Sequence, residues 1–348
     1  MRVYECAIIG GGIAGLQAAI QLGRYRHSVV VADAGDGRSS LCRGYHNLLG
    51  FPDGVSGETL RRAGREQASR YGVTFIGGVA AAVRREPAGG SAAGVKRAAK
   101  PEREDSGNGR SGGGSDGGAG DASREDGVFV VTLEGGAEVR ALRLLIATGV
   151  KDRIPDWPEL GPCLGITVFI CPDCDGWETI GRRTLVLGAG DAGANLALEL
   201  TPWTRDIVYV NHELKALDPA AAVRLREAGI PMFETPVARL LADEGRLRGV
   251  RLADGAELEA ERAFLGFGGN EVRSSLAAML GARLSSSRHI EVDPRTKLTS
   301  VPHMWAAGDV TVHSEQTAIA MGDGLQAAIW MHKSLTLREP LPLAPKGS

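Results

Sequence analysis

The stretch Thr184-Leu185-Val186-Leu187-Gly188-Ala189-Gly190-Asp191-Ala192-Gly193 repeats, halfway along the chain, the pattern that opens it, Ala7-Ile8-Ile9-Gly10-Gly11-Gly12-Ile13-Ala14-Gly15. Each is a short apolar strand running into glycines spaced G-x-G-x-x-G and then into a helical pattern, Gly15 to Leu22 in the first case and Ala192 to Leu200 in the second. In that setting the glycines have a physical reason. They let the backbone approach a pyrophosphate, where the free amides and dipole of a helix N-terminus favour negative charge. The first unit continues into a strand, Ser28 to Ala32, followed by Asp33, whose carboxylate can accept from both hydroxyls of a ribose. The second continues into Ile207-Val208-Tyr209-Val210. Such strand-helix-strand repeats predict an α/β fold of parallel sheets with helices on both faces: two Rossmann-like, doubly wound, three-layer dinucleotide-binding domains.

Between the two units stands Cys171-Pro172-Asp173-Cys174-Asp175-Gly176. Two cysteines three apart on the first turn of a helix can close a short disulfide, and the helix N-terminus stabilises a thiolate there. The competing use of such a pair is half of a zinc site, which needs two further sulfur or imidazole ligands at similar spacing. The sequence has no second C-x-x-C, C-x-x-H or H-x-x-x-H, so a redox pair is expected and a metal site is not. An inert structural pair is the remaining alternative.

Composition narrows the partners. The 348 residues suit about two domains, and 40 basic against 42 acidic side chains leave a net charge of −2. No charge excess invites nucleic acid or an anionic membrane. Five scattered cysteines do not make a secreted disulfide framework, the first residues enter a strand without the features of a signal peptide, and no apolar run is long enough to span a bilayer. A soluble, cytoplasmic protein acting on small molecules or proteins is expected. From about Glu86 to Gly127 the sequence turns to glycine, serine, alanine and mixed charge, and reads as a disordered insertion extending a hairpin between Val79 to Arg84 and Val128 to Leu133.

Near the C-terminus Met304-Trp305-Ala306-Ala307-Gly308-Asp309-Val310 adds a strand ending in Gly-Asp, and Ala147-Thr148-Gly149 ends an earlier one. With these, the chain resembles the two-domain flavoprotein disulfide reductases. The position of the cysteine pair, directly before the second glycine loop, is similar to that in the low-molecular-weight thioredoxin reductases, whose motif is C-x-x-C-D-G. His46-Asn47-Leu48-Leu49-Gly50-Phe51-Pro52 is similar to their segment beside the flavin.

The resemblance implies FAD at Gly10, Gly12, Ile13, Ala14, Gly15, Asp33, Asn47, Thr148, Gly149, Gly308, Asp309, Gln316 and Thr317. It implies an FAD domain over 1–152 and 268–348, into which an NAD(P)-binding-like domain over 153–267 is inserted, its remaining strands coming from Glu227 to Ala263. Cys174 would meet the flavin, Cys171 would attack the partner disulfide, and Asp175 would act as acid and base, or else cap the helix. The inserted domain would rotate about linkers near Lys151 to Asp156 and Gly266 to Glu271. A thioredoxin-like protein or a small dithiol or disulfide would be the partner, and the protein a homodimer.

The other end of the circuit departs from the family. Gly188, Gly190, Asp191, Ala192 and Gly193 would hold NAD(P)H, yet the next strand end, Asn211-His212-Glu213-Leu214-Lys215, lacks the arginines that grip a 2′-phosphate. Two missing charged hydrogen bonds remove about 3 to 6 kcal/mol, a hundredfold or more in affinity. NADPH is disfavoured; NADH held by Asn211 or Glu213 is one alternative, and no pyridine nucleotide at all is another. In that case oxygen or a ferredoxin-type protein would complete the reaction, or the protein would be a flavin redox sensor without turnover. Glu315-Gln316-Thr317 likewise stands where the family has Arg-Gln-Ala, an acid in place of an arginine. His313 reads as a packed or surface histidine, and Cys6, Cys42 and Cys163 as buried or incidental.

Overall fold

A computed structural model of the protein describes residues 2–87 and 127–337. The disordered insertion expected over 86–127 lies, apart from its two ends, outside these residues. The chain forms two compact units, one of Met1–Ser39, Leu60–Val150 and Val272–Ser348, the other of Ser40–Thr59 and Lys151–Glu271.

In the first unit Val3–Ile9 pairs in parallel with Val29–Asp33 on one side and with Glu138–Ile146 on the other. Thr74–Gly77 continues the parallel set beyond Val29–Asp33, and Met304–Ala306 joins beside Leu144 to Ile146. These strands are nearly continuous apolar runs because both faces of the sheet are buried, one under the long helices and the other against the hairpin strands and the short helix Ser275–Met279. Ala80–Glu86 and Val128–Leu133 form an antiparallel hairpin that adds to Glu138–Ile146. The helix Ile13–Arg24 buries Leu16, Ala19, Ile20 and Leu22, and the helix Thr317–Thr336 buries Ala320, Ala327, Ala328 and Met331. Both helices share one core cluster with Cys6, Ile8, Val29, Val31 and Trp305. At about 1.5 to 3 kcal/mol per buried large aliphatic side chain, this layer fixes where the glycine loop above it can run.

The second unit has a five-stranded parallel sheet in the order Met232–Phe233, Ile207–Asn211, Thr184–Gly188, Arg262–Gly266, Val168–Phe169. Helices Gly190–Glu199 and Pro219–Glu227 connect its central strands, and Val237–Asp243, Arg246–Leu252 and Glu257–Glu259 form an antiparallel flap. Ser40–Thr59, expected from the sequence to belong to the first domain, groups with this unit instead. The cause is close packing at Gly165, where a Cβ would lie 2.9 Å from both the Arg43 amide and the Leu41 carbonyl. Gly165 itself has φ +74°, the left-handed region open to glycine.

Among the described residues no helix is long and apolar enough to cross a membrane, and no group of three or more His, Cys, Asp or Glu is placed to hold a metal ion.

Candidate active site

The first glycine loop is built by two kinds of glycine. Gly10 (φ +106°) has the Ala147 carbonyl 2.2 Å from where its Cβ would be, and Gly15 has the Gly10 carbonyl at 1.9 Å. Those two are demanded by the fold, since any side chain would collide with backbone. Gly12 is different: nothing lies within 4 Å of its would-be Cβ. It is the N-cap of the helix Ile13–Arg24, in extended conformation, with no side-chain cap bond. Space beside a bare helix start is the cradle a pyrophosphate fills. The residues present therefore fit the FAD that this loop implies.

Asp33, the residue expected to meet a ribose, is buried. One oxygen accepts from the amides of Gly11 (3.0 Å) and Gly35 (3.2 Å), the other from Arg61 (3.1 Å) and Arg65 (2.9 Å). Both arginines come from the helix Gly57–Ser69. The carboxylate thus pins the loop and is neutralised twice, and a ribose hydroxyl would share it with the half-exposed Arg65. Neither arginine stands out in the sequence, because the helix that brings them is far from the loop along the chain.

On the opposite flank Thr148 donates to the Arg273 carbonyl at 2.5 Å, and Gly308 (φ +77°) packs on Ala14. Asp309 accepts from Arg38 at 3.1 Å, and burial pushes its carboxyl up. Arg38 also bridges to Glu315, and His289 stands 3.5 Å from that acid. The acid in place of the family arginine is thus no loose negative charge: a guanidinium reaches the same carboxylates from the short turn Arg38–Ser40. Gln316 caps the helix that Thr317 opens. Asp323, unnoticed in the sequence, is buried in that helix and accepts from the Gly308 amide (3.3 Å), Lys297 (2.7 Å) and His313 (2.6 Å). An acid amid Ala, Met and Gly in an otherwise small-residue helix was the available signal. His313, read from the sequence as a packed or surface histidine, is packed against Asp323. Its other ring nitrogen meets the Ser314 carbonyl at 2.8 Å, and the hydrogen bond to Asp323 raises the ring above its ordinary value. Asn47 is exposed and belongs to the second unit, whereas the other flavin candidates belong to the first.

The second glycine loop repeats the sequence motif of the first, but its helix starts at Gly190, which has φ +51°, with Ala189 as N-cap. Gly188 has the Gly266 carbonyl 2.5 Å from its would-be Cβ, and Gly193 has the Tyr209 ring at 2.4 Å. At Gly190, however, the space holds Lys215 Cβ at 3.1 Å and the Ala216 carbonyl at 3.2 Å. Asp191 and Ala192, the other residues of the helix start, are exposed, and Asp191 accepts from the Asp218 amide at 2.8 Å. Asn211 is fully buried, accepting from the Gly190 amide (3.0 Å) and donating to the Lys215 carbonyl (2.8 Å). Glu213 is bound by Arg153 and by Lys215, the latter at 2.8 Å, which holds its carboxyl below the usual range. Asn211 and Glu213, the two residues expected from the sequence to receive a ribose, thus each have partners within their own chain.

The cysteine pair occupies a helix of a single turn, Pro172–Asp175, with Cys171 as its N-cap. One turn supplies little dipole, contrary to the expected helix effect. Cys171 is held down instead by hydrogen bonding to the Cys174 side chain, partly opposed by burial, with help from the Cys174 amide. Both are thiols. Burial, with Glu178 adding, pushes Asp175 up to about 7. An open cavity of about 280 Å³, lined by Arg43, His46, Asp53, Ile166 and Glu178 among others, reaches Asp175. Cys42, taken from the sequence as incidental, is near enough to feel Asp175 and Cys171, and burial raises it to about 11.

This arrangement places the molecule in a class: a two-unit α/β protein whose open glycine loop fits FAD and whose second unit presents a dithiol beside a carboxylic acid. Residues 4–324 match the family model for pyridine nucleotide-disulphide oxidoreductases, and the chain belongs to that family. Within it the chain is thioredoxin reductase-like, and FAD is the family's flavin. It is 25% identical to the thioredoxin reductase of Streptomyces coelicolor over 339 residues, 94% of this chain and 92% of that protein. It is 30% identical to a probable thioredoxin reductase of Arthroderma benhamiae over 209 residues, which is 60% of this chain but 44% of that longer protein. The chain thus spans under half the length of that relative. Among solved structures HlmI superposes with a TM-score of 0.77 at 29% identity, covering 96% of this chain and 92% of that one.

Proposed function

We propose that the protein is an FAD-dependent disulfide oxidoreductase working through Cys171 and Cys174, and that Asp175 is its acid and base. The observation that carries this reading is the carboxyl of Asp175, raised to about 7 next to the pair. At neutral pH such a group both gives and takes a proton.

In the direction of disulfide reduction, the Cys171 thiolate attacks one sulfur of the substrate disulfide and forms a mixed disulfide. The departing thiolate takes the proton of Asp175. Cys174 then attacks the sulfur of Cys171, releases the second substrate thiol and closes the Cys171–Cys174 disulfide, so that two electrons pass from the pair to the substrate. FAD, when bound, supplies or accepts those two electrons. The reverse sequence oxidises a dithiol. The resemblance assigns Cys174 to the flavin side and a homodimer as the working form, with rotation of the inserted domain bringing the pair to and from the flavin.

A cavity of about 280 Å³ suits a small dithiol or disulfide, and a thioredoxin-like protein is the alternative partner. A second reading sets the pair oxidising a dithiol, with molecular oxygen accepting the electrons and leaving as hydrogen peroxide. It is favoured by the chain lying across the second glycine loop.

The test is Cys171→Ser and Cys174→Ser in the flavin-loaded protein, assayed anaerobically for flavin bleaching by dithiothreitol. Each variant is expected to lose about a thousandfold or more in rate. Bleaching at the unmodified rate in Cys174→Ser would overturn the dithiol route.

A further inference from the structure

We infer that the second glycine loop is filled by the protein's own segment Lys215 to Asp218, and that this domain binds no pyridine nucleotide but serves as the carrier of the dithiol. The inference goes beyond the proposed function, which requires a flavin and a thiol pair but no nucleotide.

The three glycines of such a loop have separable causes. The first and third are required by strand and helix packing, and Gly188 and Gly193 meet that requirement against the Gly266 carbonyl and the Tyr209 ring. Their presence says nothing about a ligand. The second is required by the ligand, whose pyrophosphate approaches there. At Gly190 that approach is taken by Lys215 Cβ and the Ala216 carbonyl, 3.1 and 3.2 Å from the would-be Cβ. The chain of Lys215 and Ala216 therefore lies directly against the second glycine of the loop.

The segment is fastened at both ends by residues of the loop and of the strand end. Asn211, at the strand end where a ribose is read, is fully buried and donates to the Lys215 carbonyl at 2.8 Å while accepting from the Gly190 amide at 3.0 Å. That amide is one of those that would face a phosphate. Asp191, in the first helical turn, accepts from the Asp218 amide at 2.8 Å, and Asp218 caps the next helix through Ala220 at 2.7 Å. Tyr209 anchors the loop from beneath, donating to the Gly190 carbonyl at 2.8 Å. A nucleotide would have to break the Asn211 and Asp191 bonds before making its own contacts, and bound ligand gains only the difference.

The experiment uses the flavin-loaded protein under anaerobic conditions, titrated separately with NADPH, NADH and dithiothreitol, with calorimetry of both nucleotides in parallel. Neither nucleotide is expected to bleach the flavin or to bind with a Kd below about 1 mM, while dithiothreitol bleaches it. Saturable bleaching or binding by either nucleotide in the micromolar range overturns the inference. Failure of dithiothreitol alone strikes the dithiol reading and leaves this one standing. The double variant Asp191→Ala with Lys215→Gly, both sites exposed, loosens the segment. NADH binding at least about tenfold tighter than in the unmodified protein supports the latch. An unchanged affinity in a variant whose circular dichroism shows an intact fold overturns it.

Discussion

Gly12 and Gly190 hold the same place in two copies of one motif, and their surroundings are opposite. A side chain added at Gly12 would meet open space, while one added at Gly190 would meet Lys215 and Ala216. The loops also differ in backbone, since the first helix starts after Gly12 and the second at Gly190 itself, with φ +51°; a further difference lies in the path of the chain beyond the second strand of each unit. After Asp33 the Gly35 amide bonds the same carboxylate oxygen as the Gly11 amide, and Arg61 and Arg65 bond the other oxygen. After Asn211 the chain folds back and bonds to the loop. A glycine pattern therefore certifies a strand-to-helix turn, and only the space at its second glycine reports on a ligand.

The largest effect expected from this contrast is at Gly12. Gly12→Val places a branched side chain in the pyrophosphate cradle without touching the apoprotein core. We expect FAD affinity to fall about a hundredfold or more, the equivalent of losing two hydrogen bonds to a charged group, with the thermal unfolding of the apoprotein unchanged. Flavin absorbance after gel filtration measures it. A yellow, fully loaded variant would erase the contrast between the loops.

The second unit keeps its chemistry in the dithiol, so its sharpest test is a pH profile. Asp175 has a folded value near 7 against an ordinary 3.8. Between those values the folded protein holds a proton that the unfolded chain has released. Stability from this group is therefore present at acid pH and declines as pH rises from about 4 to about 7. Loss of the same proton slows protonation of the leaving thiolate above about 7. Asp175→Asn should lower kcat/KM for disulfide reduction about tenfold to a hundredfold and remove the limb near 7. A limb that survives in the variant would assign the proton to another group.

Gly190→Ala should do the reverse of Gly12→Val. At φ +51° and with Lys215 pressing on it, the new methyl strains the backbone and displaces the segment. We expect a loss of about 1 to 3 kcal/mol in unfolding free energy, measured by chemical denaturation, with FAD content unaltered. Unchanged stability would mean that the segment does not press on the loop.

Much of this was legible in the sequence. The two glycine loops, the Ala-Thr-Gly and Gly-Asp strand ends and the C-x-x-C before the second loop are local patterns, and local patterns fix strand-to-helix turns and the class of fold. What was not legible is which distant residues close on them. Arg38 reaches Asp309 and Glu315 across more than half the chain, Arg61 and Arg65 meet Asp33 from the next helix, and Lys215 covers Gly190. Each is an ordinary charged residue in a polar stretch. The missing arginines after Asn211 were visible, but an absent contact does not say what fills the space. The grouping of Ser40–Thr59 with the second unit was likewise hidden, because it depends on backbone packing at Gly165.

The smallest effect concerns how the first loop is kept open. Where the second loop is latched by its own backbone, the flank of the first is held by side chains: Asp323 takes the Gly308 amide and is itself bound by Lys297 and His313. Hydrogen bonding to Asp323 raises His313 above its ordinary 6.5, against burial and the nearby Lys297, while Asp309 is the other charge it feels. A raised histidine gives stability that is fully present below about 6.5 and is lost as pH rises through the folded value. His313→Gln keeps a donor for Asp323 but not the charge. Because the ring is partly exposed, the loss should be about 1 kcal/mol or less, seen as a smaller difference in Tm between pH 6 and pH 8.5. If that difference is unchanged in the variant, Lys297 alone holds the acid and the imidazolium is no part of the support beneath Gly308.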